Sequence, residues 1–460
     1  MAVNRRCSRA WRWLTPFAGL VGALGCAQPG PNAGYSLSDS GASPLLSPAE
    51  LASEFAKDTP QEPLCGDPLL AGDFPIDESG LPTLYVDGAS DAAAPDGSRN
   101  APFRTIGEAL AAEAPGTVVP DVVISNSGAP RSSAATPGSG AALGATRRVL
   151  VADGYYEEDV AIPPGTLLLG GYDAARWEQG AGLPVIGGSV YVGTATPPAS
   201  IVTTEGALST GGAVPSNPSA VPLAALRHFE VANGVEIMPG ARALLRDNLI
   251  APVLYRATLD PPDYRRAIGV AADSATLRAD HNRLVLPASN PAGVIGLGFY
   301  VSDSCAWVTE NEIADYRSPI SFYGGAGVAA TFNQIERGQN GVCVGGNQAL
   351  IAANSLQLSH PSVGCVYAVY MDDGASPDIR HNSILLNDLG NRGLTEAQGA
   401  SHPIALLGNR FFSPQWSPVL YAVAHQDADP ELIVDIGKVN SLPDVPEVGG
   451  NTFMRVPTAP

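Results

Sequence analysis

The chain is 460 residues long and carries 45 Asp and Glu against 26 Lys and Arg, a formal net charge of −19. An acid surplus of this size excludes the basic footprint of a nucleic-acid binder and electrostatic docking on anionic headgroups. It suits divalent cations, cationic ligands, or solubility alone.

The first 25 residues predict an export signal. Arg5, Arg6, Arg9 and Arg12 make a basic start, and Leu14 to Leu24 form an apolar run, broken by Pro16 and glycines, too short to span a bilayer. It ends at Ala23-Leu24-Gly25-Cys26, which resembles a bacterial lipobox. The resemblance implies cleavage before Cys26 and diacylation of that residue; an ordinary signal peptide cut nearby is the alternative. The residues after Arg5-Arg6 do not fit a twin-arginine signal. Removing four arginines and no acids takes the charge from −19 to −23. Residues 26–63 are rich in Ala, Ser, Pro and Gly, carry little large apolar surface, and read as a disordered tether. Lipid on Cys26 would hold the protein at an outer membrane or cell surface without spanning it.

Residues 64–460 form the folded domain. Leu84-Tyr85-Val86-Asp87-Gly88 predicts a strand entering a turn, and Ile106, Ala109 and Leu110 share one face of a short helix. A cap for the open end of a solenoid is therefore expected near residues 84–112. Further on, Val149 and Val151 precede the Asp153-Gly154 turn, Val160 and Ile162 precede Pro163-Pro164-Gly165, and Leu167 and Leu169 precede Gly170-Gly171. Three short strands and three tight turns make one triangular coil and exclude a βαβ fold. Residues 125–146 and 194–222 read as loop insertions, with Ile201 and Leu208 as strand fragments in the second.

Tyr85-Val86-Asp87-Gly88, Pro102-Phe103, Thr105-Ile106 and Ala109-Leu110 resemble the opening of bacterial right-handed parallel β-helix proteins of the pectate-lyase-like superfamily. Val149 to Glu158 is similar to that family's first full coil, and Gly170-Gly171-Tyr172-Asp173 with Trp177 to a phrase of its large exported members. The resemblance spans about residues 84–455 and implies an all-β, right-handed parallel β-helix. It also implies two possible chemistries. Lyases of the superfamily use acidic Ca²⁺ ligands with a basic catalytic residue, and hydrolases use an aspartate cluster.

From Asn248 onward one phrase recurs. Asn248, Asn282, Asn311, Asn333, Asn354, Asn382 and Asn409 are separated by 34, 29, 22, 21, 28 and 27 residues. Each has Ile, Leu or Phe two residues later and apolar or small residues three and five earlier. A period in the twenties marks a stacked solenoid, here of about a dozen coils. The parity of the apolar positions switches at the Asn, so a turn with inward-stacked Asn side chains is expected there.

About nine residues before the asparagines stand Asp273, Asp303 and Asp372-Asp373, with Gly324-Gly325 and Gly345-Gly346 in the coils between. If Asp273 and Asp303 stack, they suit a Ca²⁺ site or acid-base work on a glycoside, with Asp373 as a further candidate. The competing reading is that Asp and Gly are favoured turn residues. Arg278, Arg317, Arg380 and Lys438 are the basic partners a lyase would need, and His281 and His381 read as outward turn residues. Phe299, Tyr300, Phe322, Tyr323, Tyr367 and Tyr370 suit either a sugar-stacking face or core filling. Of the cysteines left after Cys7 and Cys26, Cys343 and Cys365 are expected one above the other, as a disulfide or two free thiols. Cys65 and Cys305 lie too far apart in sequence for a pairing to be assigned between them. No Ser-His-Asp elbow, phosphate loop, zinc spacing or dinucleotide fingerprint is present, and no cofactor beyond Ca²⁺ is indicated. The expected function is therefore a non-catalytic cell-envelope lipoprotein displaying a β-helix scaffold for adhesion or carbohydrate binding, with polysaccharide or cell-surface components as partners. A lyase or hydrolase at the acidic corner is the alternative.

Overall fold

The computed structural model describes residues 64–71, 78, 80–112, 145–194, 221–252, 266–288, 295–325, 327–358, 366–387, 391–397, 401–415, 417–425 and 428–456. The leader, Cys26, the tether, Cys365, and nearly all of both loop insertions with Ile201 and Leu208 lie outside them.

The fold is an all-β, right-handed parallel β-helix built from three long sheets. Sheet I has 12 strands, from Thr83–Val86 to Glu447–Gly449. Sheet II has 11, from Tyr155–Tyr156 to Thr452–Arg455. Sheet III also has 11, the parallel strands from Val160–Ile162 to Val419–His425 together with Ala428–Ile433, which pairs antiparallel at its end. The chain visits I, II and III in turn, and each strand pairs in parallel with its counterpart one coil away. One sequence expectation is shifted here. Tyr155–Tyr156, too short to show a pattern, is the middle strand of the first full coil, and Leu167 and Leu169 open the next coil.

Residues such as Leu277, Leu284 and Phe299 point inward from the three sheets and join one continuous core. Helix α1 (Ile106–Ala111) covers its first coil with Ile106, Ala109 and Leu110 buried. A capping box between Thr105 and Glu108 starts the helix. The Glu158 carboxylate, from a corner of the next coil, accepts from the Ile106 and Gly107 N–H groups at 2.7 and 2.8 Å. At the other end the antiparallel strand Ala428–Ile433 and helix α2 (Ile436–Val439) follow the last full coil. The core there also holds a carboxylate. Glu396 is 2 % exposed, accepts from the Tyr421 hydroxyl, and lies 3.1 Å from His402 Nδ1.

The corner between sheets I and II repeats one geometry. The residue before each Asn is left-handed: Asp247, His281, Glu310, Phe332, Ala353 and His381 have φ between 54° and 58°. The Asn that follows turns inward and is buried. Asn311 is typical. Its Nδ2 donates to the carbonyls of Ala279 and Thr309 and to Asn333 Oδ1, and its backbone N–H donates to the same Oδ1. The same links join Asn248, Asn282, Asn311, Asn333, Asn354, Asn382 and Asn409. An eighth member, Asn451, lies 42 residues beyond Asn409 and accepts from it. Asn440, at the end of α2, closes the column by exchanging bonds with Asn451.

Each internal amide is thus fully paired, and truncating one strands partners on both sides. Asn333→Ala is expected to destabilise by roughly 1–3 kcal/mol in denaturant unfolding. Asn440→Ala, at the open end, should cost less. Unchanged melting of Asn333→Ala would show that the column does not hold the coils.

Candidate functional site

Alternation along sheet III decides which side chains point into the core and which point away from it. Val270, Phe299, Ile320, Val342, Val369 and Leu394 occupy core positions. Their successors Ala271, Tyr300, Ser321, Cys343, Tyr370 and Thr395 stack in register on the opposite face. The aromatic residues of this region therefore divide. Phe299 and Phe322 fill the core, whereas Tyr300, Tyr323, Tyr367 and Tyr370 stand on the outer face of sheet III.

The tyrosines form two pairs on that face. The rings of Tyr300 and Tyr323 are 5.7 Å apart, and those of Tyr367 and Tyr370 are 5.4 Å apart. Strand Asn340–Gly345 lies between the pairs, and its glycine is required there. A Cβ on Gly345 would stand 2.8 Å from the Tyr323 ring, so the ring lies flat against the neighbouring coil only because position 345 has no side chain. Arg392 sits over the Tyr367 ring at 5.9 Å. Asn340 pairs in register with Tyr367 and donates to Ser318 Oγ at 3.5 Å. Burial raises the hydroxyl pKa of Tyr323, Tyr367 and Tyr370, keeping them neutral donors. Three buried atoms on this face, Asn340 Oδ1, Tyr367 Oη and Thr395 Oγ1, have no hydrogen-bond partner among the described residues. Buried polar groups are normally paired. Here three unpaired ones lie on adjacent coils.

Cys343 belongs to the same face and is a free, buried thiol. In register, Tyr370 of the next coil stands on Cys343, and the expected partner Cys365 lies outside the described residues. Burial pushes the Cys343 thiol up to about 12, so it is protonated and a poor nucleophile at neutral pH.

The acidic corner lies at the sheet III to sheet I turn. Asp273 does not stack on Asp303; it pairs with Ser302. The one-residue offset arises because Asp303, like Ser274 before it and Gly324, Gly346 and Asp373 beyond, is the left-handed residue of the corner. The Asp303 carboxylate leans over Gly324, where an added Cβ would come 2.3 Å from Oδ1. Asp303 and Asp373 are exposed, and Asp273 is half-buried. Asp273 and Asp372 share one column but stand four strand spacings apart, about 19 Å. Among the described residues no group of three or more His, Cys, Asp or Glu side chains converges as metal ligands. The basic candidates are dispersed. Arg278 lies on the outer face of sheet I, 4.7 Å over Trp307; Arg380 pairs with Asp378; Lys438 is in α2. His281 is exposed and lies 3.0 Å from Glu310.

Comparison with protein-family models, with curated proteins and with solved structures finds no match to this chain.

Burial raises the Asp273 carboxyl from 3.8 to about 6, with the Asp303 charge adding to it. A carboxyl with a raised folded pKa favours the folded state while protonated. Its contribution is present below about pH 4 and lost as pH rises through 6. Asp273→Asn is therefore expected to be more stable than the parent at about pH 7.5, by on the order of 1 kcal/mol after solvent screening, and to gain nothing at about pH 4. The readout is thermal melting at the two pH values, and an equal change at both would contradict this assignment.

Proposed function

We propose that this chain is an exported, lipid-anchored cell-envelope protein whose β-helix presents the outer face of sheet III to carbohydrate, without catalysing a reaction. Three features support the reading. The basic leader and the lipobox-like run ending at Cys26 suit export and anchoring by lipid. The capping and turn phrases from Tyr85 to Trp177 resemble the pectate-lyase-like superfamily, which includes polysaccharide lyases and hydrolases. The observation that carries it is the outer face of sheet III itself. Tyr300 and Tyr323 stand half-buried there, and the buried pair Tyr367 and Tyr370 lies beside them with the unpaired polar atoms of Asn340, Tyr367 and Thr395. Sugars need that combination, ring faces for stacking and hydroxyl groups for hydrogen bonds.

One observation favours a second reading, a polysaccharide lyase or glycoside hydrolase. Asp273 has a carboxyl raised to about 6 beside Asp303, a pairing that could serve acid-base work.

A polysaccharide panel, assayed with and without Ca²⁺, separates the two. The mature domain without Cys26 is expected to bind at least one glycan and release neither unsaturated nor reducing ends. Tyr300→Ala and Tyr323→Ala, in the half-buried pair, should each weaken that binding at least tenfold, about 1.4 kcal/mol, with folding retained. Product formation abolished by Asp273→Ala or Asp303→Ala would replace this reading with the enzymatic one.

A further inference from the structure

Residues 64–71 cross the outer face of sheet I against the direction in which the coils accumulate. Cys65 forms a disulfide with Cys305, 240 residues away, in the seventh strand of sheet I. Gly327, in the eighth strand, leaves room for the bridge: a Cβ there would lie 2.9 Å from Cys65 Sγ. Asp67 is fully buried and pairs with Arg242 of the fifth strand at 2.6 Å. Arg278 of the sixth donates to the Leu69 and Ala71 carbonyls at 3.2 and 3.1 Å. Leu69 and Leu70 are buried against an apolar patch that includes Leu167, Leu223, Leu244 and Trp307. Towards the first coil, Glu78 meets Arg227 at 2.8 Å and Arg148 at 3.9 Å.

We propose that this segment is a disulfide-held latch. While it is closed, the N-terminal chain leaves the solenoid at its seventh coil; once open, it leaves at the first. Without the disulfide the remaining contacts are too few to hold the segment. Fixing eight residues costs more than two buried leucines return. The Asp67–Arg242 pair adds little net attraction after both charges are desolvated. A dithiol can open the latch from solvent, because Cys65 is exposed whereas Cys305 is buried. Its thiolate attacks Cys65 Sγ, the S–S bond breaks, and Cys305 leaves as a thiolate that takes up a proton. The second thiol of the reductant then displaces Cys65 as a thiol, and the dithiol ends as a disulfide. Opening bares the Leu167, Leu223, Leu244 and Trp307 patch on sheet I. A further consequence rests on the anchor proposed at Cys26: opening moves the attachment from the flank of the solenoid to its end.

Hydrogen exchange read by mass spectrometry on the mature chain tests the latch. The oxidised protein is compared with dithiothreitol-treated protein and with the Cys65→Ser/Cys305→Ser double variant. Peptides covering residues 64–71 are expected to exchange about 100-fold faster in both, with Gly327–Thr331 and Ser355–Leu358 unchanged. Retained protection at 64–71 would overturn the latch, because the non-covalent contacts would then suffice. Loss of protection in the solenoid strands as well would also overturn it, making the disulfide a staple of the whole fold. Palmitate labelling of the parent against Cys26→Ser tests the anchor separately; its failure removes the consequence for attachment and leaves the exchange result standing.

Discussion

The buried asparagine column is the interaction on which the rest of this molecule depends. A parallel β-helix must turn the chain between sheets I and II without leaving backbone groups unpaired inside. This chain does so with one left-handed residue followed by an inward Asn. Six of the left-handed positions, among them Phe332 and Ala353, carry side chains at φ of 54° to 58°. That conformation costs an L-residue roughly 1–2 kcal/mol. The cost is offset because each Asn then makes several bonds, worth about 1 kcal/mol apiece, to its own and adjacent coils. Strain and amide form one device.

Once that corner repeats, the alternation of every strand is set, and the outer faces acquire distinct characters. Sheet I carries Arg242, Arg278 and Trp307 outward and is covered by the N-terminal segment over its earlier coils. Sheet III carries tyrosines, Ser321, Cys343 and Thr395 outward. The acids that stand out in the sequence sit at the third corner. There Asp303 and Asp373 serve the left-handed turn that glycine fills at positions 324 and 346. The same conformational demand explains why Asp and Gly recur down that edge.

The fold was legible in the sequence because the corner is chemical as well as geometric. An Asn with an apolar residue two positions later is visible without coordinates, and seven of the eight members could be read. Asn451 has the same neighbours, Val448 and Phe453, but its 42-residue separation from Asn409 hides it beyond the hairpin and α2. The cap was legible through Ile106, Ala109 and Leu110. The site was less so. Counting back from the Asn placed Asp273 and Asp303 in one column, because intervals of nine and eight residues look equivalent when the offset is a single left-handed residue. The division between Phe299 and Tyr300 follows from parity, but adjacent aromatics of similar hydrophobicity do not declare which one faces inward. The Cys65–Cys305 bridge could not be read at all, since a 240-residue separation becomes contact only when the N-terminal segment folds back over seven coils.

The most direct test of the column is a pair of double-mutant cycles. Asn354 Oδ1 accepts from the Asn333 side-chain amide and backbone N–H, each at 3.0 Å, whereas Asn282 and Asn409 belong to the same column without touching. Combining Asn333→Ala with Asn354→Ala should reveal a coupling on the order of 1 kcal/mol, because the second truncation removes a partner already stranded by the first. Asn282→Ala with Asn409→Ala should be additive. Additivity in both pairs would contradict the claim that the asparagines act through one another.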